Sequence, residues 1–451
     1  MTVDIAHWTG RLAELAERHK VPGATLGILS EDEIAEAAYG VLSLRTGVET
    51  TTDSLFQIGS ISKVWTATLV MQLVDEGKLQ LDAPVVDVLP ELRLGDPGVT
   101  AKLTMRHLLT HTSGIDGDIF TDTGRGDDCL EKYVTGLAEA AQNHPLEATW
   151  SYCNSGFSLA GRVVEKLTGG TWDAALRERI ITPLGLEHTV TLPEEALMHR
   201  AAVGHVTDDG EQTVAPVWGI PRSAGPAGAV VSTAADALRF ARMHLQNGAG
   251  VLSPASTAAM AEHQVELPDT RLLGDSWGLG WERLGWGNGH RLIGHDGNTI
   301  GQAAFLRILP EQGLAVTLLT NGGNGAKLYE ELFREIFADL AGVPVPHPLG
   351  PPAEPVEVDP APYAAVYERA SIRQEVRVDD GGPIMRVSVT GPLAEVLQEK
   401  PVDYKMVAVE PGLFVCQDPE TGNWIPASFY QLPTGERYVH FGARATPRCA
   451  S

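Results

Sequence analysis

Cysteine is scarce in this chain and carries no pattern. Four cysteines (Cys129, Cys153, Cys416 and Cys449) are scattered over 451 residues, without the close pairs that hold a metal or the framework of a disulfide-stapled domain. Reduced thiols in a reducing compartment are the expectation. Basic charge is also short: 34 lysines and arginines stand against 58 aspartates and glutamates, for a net charge of -24. That balance speaks against nucleic acid or an anionic membrane as partner, and serves solubility. No apolar run is long enough to span a bilayer. The N-terminus lacks a basic start and continuous apolar stretch. Ile5, Trp8, Leu12 and Leu15 instead recur at three- and four-residue steps among Asp4, Arg11, Glu14, Glu17 and Arg18. This predicts an amphipathic helix rather than a signal peptide, and a cytoplasmic protein.

The length suits two or three domains with a large core. After the first helix, 23–29 and 34–40 read as two strands joined by a polar turn. The segment 62–76 reads as a helix ending at Gly77. From about 80 to 215 the pattern is helical with long loops, 158–168 showing one apolar face. Strand signals return at 292–294, 303–308 and 314–320, and a helix over 328–340 closes the region. Prolines crowd 343–362, where the chain can be neither helix nor central strand and reads as a semi-rigid linker. Beyond it, 363–451 turns to short alternating strands (376–378, 385–389, 405–409, 437–441) that predict a small antiparallel barrel or sandwich.

The chemistry is concentrated in a few short strings. Ser60-Ile61-Ser62-Lys63 opens an apolar helical pattern, so the hydroxyl and the amine share a helix face. An unprotonated amine there can accept the serine proton. Trp150-Ser151-Tyr152-Cys153-Asn154 is a polar and aromatic cluster leading into a helix. Gly294-His295-Asp296-Gly297-Asn298 joins a strand to a glycine where substrate can approach the backbone closely. His107-Leu108-Leu109-Thr110-His111-Thr112-Ser113-Gly114 supplies a compact turn between helices.

Taken together, these strings resemble the serine acyl-transfer family of class C β-lactamases, DD-peptidases and related esterases, including penicillin-binding-protein-like enzymes. That family's signatures, Ser-x-x-Lys, Tyr-x-Asn and Lys/His-x-Gly, correspond in order to Ser60–Lys63, Tyr152–Asn154 and His295–Gly297. The Leu-Leu-Thr-His-Thr-Ser-Gly string recurs there too, and the resemblance covers roughly residues 5–340. It implies an α/β fold: a β-lactamase-like antiparallel sheet flanked by helices, with a helical subdomain (about 80–215) inserted into a 1–342 hydrolase domain. It further implies that Ser60 is acylated and that Lys63 and Tyr152 share its proton. Asn154 would orient Lys63 and bind a substrate amide. The backbone N–H groups of Ser60 and Asn298, beside Gly297, would form the oxyanion hole. No metal or organic cofactor is implied.

This assignment makes a demand on Lys63. A free lysine titrates at about 10.4, so a neutral amine near pH 7 costs about 4 kcal/mol, which burial and a nearby cation such as protonated His295 could supply. Alternatively Tyr152 is the base, its ionised form held by Lys63. His295 departs from the lysine usual in β-lactamases of this type and resembles the peptidase and esterase branches. It would position a substrate carbonyl or carboxylate with a weaker, pH-tunable charge. Ser62, Thr66, His107, His111 and Cys153 are assigned to local hydrogen bonding and packing, and Trp277, Trp281 and Trp286 to the core.

The tail 441–448 resembles the end of lipocalin-like C-terminal domains fused to some members of this family. Among these are penicillin-binding-protein-type thioesterases that cyclise nonribosomal peptides, in which an arginine of the small domain can reach the site. By position that arginine is Arg444; the alternative is a surface arginine at a frayed terminus. The expectation is therefore acyl transfer through a seryl ester on an ester, thioester or amide of a small molecule or peptide. Water as acceptor makes an esterase or D-peptidase. An amine makes a cyclase or transacylase, with a carrier protein or thioester as donor. A catalytically silent binding module is the reading from another class.

Overall fold

The computed structural model describes residues 3–208, 210–287, 289–390, 400–419 and 421–449. Its first sheet has eight antiparallel strands in the order Glu33–Gly40, Gly23–Ser30, Leu314–Thr320, Gln302–Leu309, His290–Thr299, Glu282–Trp286, Ser276–Trp277 and Val265–Glu266. Gly23–Ser30 lies inside the sheet. Leu26 stands opposite Ala37 on one side and Leu318 on the other, and the strand is buried at seven of its eight positions. That burial explains its unbroken apolar run. The chain leaves this sheet at Gly40 and returns at Val265, so everything between is suspended from two strand ends.

One face of the sheet is covered by Ile5–Arg18 and Gly325–Ala341, whose Trp8, Leu12, Leu15, Leu332, Phe333 and Phe337 form one core with Leu26, Leu292 and Val316. The latter helix starts where Asn324 accepts from Lys327 N and stops at Gly342, where φ is +65°, a conformation glycine adopts without strain. The opposite face packs against Ala234–Leu245 and, through it, the central helix Ser62–Asp75. Every residue from Ser62 to Leu73 is buried. A helix apolar on all sides can exist only where packing surrounds it, and this one carries the Ser60–Lys63 pair at its start. The 80–215 region is built mostly of short helices and loops. Its longest helix is Asn154–Thr168, and it also holds a hairpin, His205–Asp208 with Glu211–Val214, which the polar sequence did not disclose.

From Ala365 to Pro447, eight strands each pair antiparallel with the next. A bridge between Tyr367 and Arg448 and the bond from Cys449 N to Val366 O (2.8 Å) bring the last back toward the first. The result is a nearly closed, lipocalin-like barrel, and closure removes exposed strand edges. Tyr367, Met385, Met406, Phe414 and Val439 fill its interior. The proline-rich 343–362 stretch has no helix or strand apart from the start of a single 3₁₀ turn, Ala361–Tyr363.

The barrel is bound to the rest of the chain at its last hairpin. Arg437–Phe441 and Arg444–Pro447 are joined by Gly442 and Ala443, both left-handed at φ +57° and +64°, the geometry of a tight type I′ turn. Ala443 O accepts from Tyr152 N at 3.0 Å, and Ser151 Oγ accepts from Ala445 N at 3.2 Å. The tail is thus an ordered strand, not a frayed end. Phe333→Ala, on the face remote from Ser60, is expected to cost about 3–5 kcal/mol. It should lower the urea midpoint and leave the turnover of the folded fraction unaltered; a large loss of turnover in folded protein would contradict this layering.

Candidate active site

The site forms where one strand outruns its neighbour. His290–Thr299 pairs with Gln302–Leu309 from Ile293 to Thr299, whereas Glu282–Trp286 accompanies it only as far as Gly294. Beyond Gly294 one edge is left open, and the 3₁₀ turn Gly59–Ile61 packs against it backbone to backbone. Two glycines permit this approach. A Cβ on Gly59 (φ +52°) would stand 2.6 Å from Asn298 N, and one on Gly297 would stand 1.9 Å from Ile58 O and 2.9 Å from Ser60 N. The N–H groups of Ser60 and Asn298 therefore lie at one crossing point.

Three residues along, Lys63 is fully buried. Its Nζ donates to Ser60 Oγ at 3.0 Å and to Ala227 O at 2.7 Å. Burial, and after it the Arg444 cation, push the ammonium well below the ordinary lysine range. Ser60 itself is half-buried, so the pair has one dry and one accessible member.

The Tyr152 ring faces this amine, with Nζ 4.8 Å from its centroid. The His111 ring stacks on it at 4.3 Å, and the Arg444 guanidinium lies 4.9 Å from its centroid. The Tyr152 hydroxyl is buried without a completed hydrogen bond among the described residues. Burial raises its pKa beyond the ordinary tyrosine range, and Ser60 offsets only part of the rise. Arg444 reaches the site from the barrel and grips Asp118 with two bonds, Nε to Oδ2 at 3.1 Å and Nη2 to Oδ1 at 2.7 Å. Arg369, also from the barrel, adds a third contact to Asp118 at 3.1 Å. Burial opposes the Asp118 anion, but the two arginines overcome it and hold the carboxyl at about 2.

His295 is buried beside Trp277, their ring centroids 5.5 Å apart, and lies 6.2 Å from Tyr152 by the same measure. Its Nδ1 bonds Asp296 O at 2.6 Å. Since a carbonyl only accepts, Nδ1 carries the hydrogen and Nε2 a lone pair. Burial and the nearby Lys63 press its pKa down to about 3. The imidazole is thus neutral, and protonated His295 is not what depresses Lys63; Arg444 fills that part.

Asn154 sits at the start of Asn154–Thr168, but its amide contacts Asp118 Oδ1 at 3.4 Å instead of Lys63. The remaining polar residues act locally. Ser62 Oγ donates to Gly59 O and accepts from Val230 N, and Thr66 Oγ1 donates to Pro226 O. Cys153 Sγ caps the Asn154 helix by accepting from Gly156 N. His107 caps its own short helix through Thr104, and His111 Nδ1 accepts from Cys153 N at 2.9 Å. Trp277, Trp281 and Trp286 are core residues. Sequence reasoning missed Asp118, Arg369, Glu282 and Arg307. Asp116-Gly117-Asp118, close behind the Thr-Ser-Gly turn, was a visible signal; Arg369, some 250 residues away, offered none.

Among known proteins, a model of the Beta-lactamase family matches residues 8–341. Penicillin-binding protein 4 of Amycolatopsis lactamdurans is 49% identical over 377 residues, 82% of this chain and 99% of that protein. The crystal structure of SurE superposes with a TM-score of 0.80 at 28% identity over 99% of both chains, and that of SurE with D-Leu gives 0.78. The D-amino acid amidase of Ochrobactrum anthropi SV3 shares the fold, with a TM-score of 0.61 at 24% identity over 74% of this chain and 99% of its own. A family match of this extent, laid over a Ser60–Lys63 pair at the head of a buried helix, places the chain in the Beta-lactamase family of serine hydrolases.

Proposed function

We propose that the protein transfers an acyl group through an ester on Ser60, taking an ester, thioester or amide as donor. The observation that carries this reading is the fully buried Lys63 amine 3.0 Å from Ser60 Oγ. Ser60 Oγ attacks the substrate carbonyl and its proton passes to neutral Lys63. The tetrahedral oxyanion rests on the Ser60 and Asn298 N–H groups, each donor worth about 3 kcal/mol to the transition state. Tyr152, which burial keeps protonated, hands a proton to the leaving group and recovers one from Lys63. Water then releases the acid by the reverse proton path. Lys63 is the base in this scheme because burial lowers its pKa and raises that of Tyr152.

A second reading, supported by Arg444 at the site, is release or cyclisation of a peptide from a thioester, with an internal amine as acceptor. The SurE structure with D-Leu supports a D-configured residue in the substrate.

A fluorophosphonate probe should label the wild type and fail to label Ser60→Ala; equal labelling of both, or of neither, would sink acyl transfer through Ser60. With a peptidyl thioester ending in a D-residue, a mass shift to linear acid supports hydrolysis, and loss of one water relative to that acid supports cyclisation. Lys63→Ala should lower the acylation rate by about 10²–10⁴. Activity requires the unprotonated amine, so it should fall as pH drops through the depressed Lys63 pKa. Arg444→Gln removes the cation that opposes protonation, so the acid limb of kcat/KM should move to higher pH. A limb that stays put would separate Arg444 from Lys63.

A further inference from the structure

Behind His295 lies a buried ionic cluster that the proposed chemistry does not use. Glu282 is 1% exposed and comes from the strand that stops pairing at Gly294, so its side chain reaches under the free edge. Its Oε1 accepts from Asp296 N at 3.1 Å and lies 3.7 Å from His295 Nδ1. Its Oε2 has no hydrogen-bond partner among the described residues and stands 3.6 Å from Arg307 Nη1. Arg307 is committed elsewhere, to Asp296 Oδ1 at 2.6 Å. Asp296 thus receives one bond from Arg307, donates one to Glu282, and through its carbonyl holds His295 Nδ1.

We propose that Glu282 is a positioning residue that acts on His295 through Asp296: its buried carboxyl holds Asp296 N, so that the Asp296 carbonyl fixes the imidazole as the tautomer with hydrogen on Nδ1 and a free lone pair on Nε2. The inference rests on the acyl-transfer reading for its kinetic consequence, but not for the tautomer itself.

Charge bookkeeping supports the arrangement. Asp296 and Arg307 form one balanced pair, so an ionised Glu282 would leave a net buried anion. Burial, then Asp296, push the Glu282 carboxyl up to about 8, with Arg307 opposing. The groups that face it are His295 and Asp296 from one neighbouring strand and Arg307 from the next. Tyr329, from the helix behind, packs against Arg307. Trp277 and Gly294, its cross-strand partners, carry no charge. At neutral pH the carboxyl is therefore protonated and orients without attracting the Nδ1 hydrogen. Above about 8 it becomes an anion beside that hydrogen, which makes the imidazole more basic.

The resting protein, labelled with ¹⁵N-histidine and with His295 assigned from His295→Asn, tests this without any turnover. The wild type should show the Nδ1–H tautomer and a step in the His295 shifts near pH 8. Glu282→Gln should keep the tautomer and lose the step, and Glu282→Ala should lose the single tautomer. In kinetics, Glu282→Ala should lower kcat by about 10-fold or more with little change in KM, and Glu282→Gln should restore much of it. An Nε2–H tautomer in the wild type, or a step that persists in Glu282→Gln, overturns the proposal. Failure of Ser60 labelling with the tautomer and step intact would overturn the acyl-transfer reading instead, leaving Glu282 as the residue that sets the imidazole.

Discussion

The structure turns on one desolvated amine. Holding the Lys63 amine well below its ordinary pKa beside Ser60 requires dry surroundings, and most of the architecture near the site supplies them. The central helix is buried on every face through Leu73, which removes solvent from the lysine stem. Two close backbone approaches, at Gly59 and Gly297, seal the turn against the open strand edge. What remains for the amine is one carbonyl, Ala227 O, and one hydroxyl, Ser60 Oγ. Neither carries the formal negative charge that would hold a proton on nitrogen. A single carboxylate in contact with Nζ would undo the arrangement, because a close opposite charge favours the charged form. The nearest relevant carboxylate, Asp118, is occupied by Arg444 and Arg369.

That occupation gives the barrel a role beyond an appended domain. Its interior is filled by side chains, and its contribution is made at the surface, through the Gly442–Ala443 turn with Arg444 and through Arg369. Ala443 adopts a left-handed conformation that costs a non-glycine residue about 1–2 kcal/mol. The turn nevertheless delivers its carbonyl to Tyr152 N and places the next side chain over the Tyr152 ring. The Arg444–Asp118 pair is largely buried, each side chain 17% exposed, and buried pairs seldom add net stability against apolar packing. Here it fixes the placement of one part on the other and leaves a guanidinium at the mouth of the site. Barrel docking and Lys63 electrostatics are then one problem, since the same cation serves both.

Much of this was legible in the sequence. Ser-x-x-Lys, Tyr-x-Asn and His-x-Gly are local strings whose residues meet because each sits at a strand or helix end. The proline crowding before 363 and the alternating pattern after it announced a small antiparallel barrel or sandwich, although Ala365–Arg369, Leu413–Gln417, Trp424–Gln431 and Arg444–Pro447 were not singled out. The polar connections at the site were not legible. Asp118, Arg369, Glu282 and Arg307 lie far apart in the chain and converge only through the sheet register and the docking of the hairpin. Asn154 shows the converse: the motif is present, yet its amide contacts Asp118, because that carboxylate, drawn in by two arginines, lies close to the start of its helix.

The balance of charge around the site also depends on His295 being an imidazole and not a lysine. A cation on that strand would face Lys63 with Glu282 and Asp296 behind it, and the Asp296 charge is already matched by Arg307. A lysine there would draw Glu282 into ionising and would add a second cation beside a Lys63 that Arg444 already acts upon. A neutral imidazole avoids both consequences. It keeps the cluster balanced with a protonated Glu282, and it presents the site with an acceptor lone pair in place of a charge. The positive charge beside the Tyr152 ring then comes from the barrel, through Arg444.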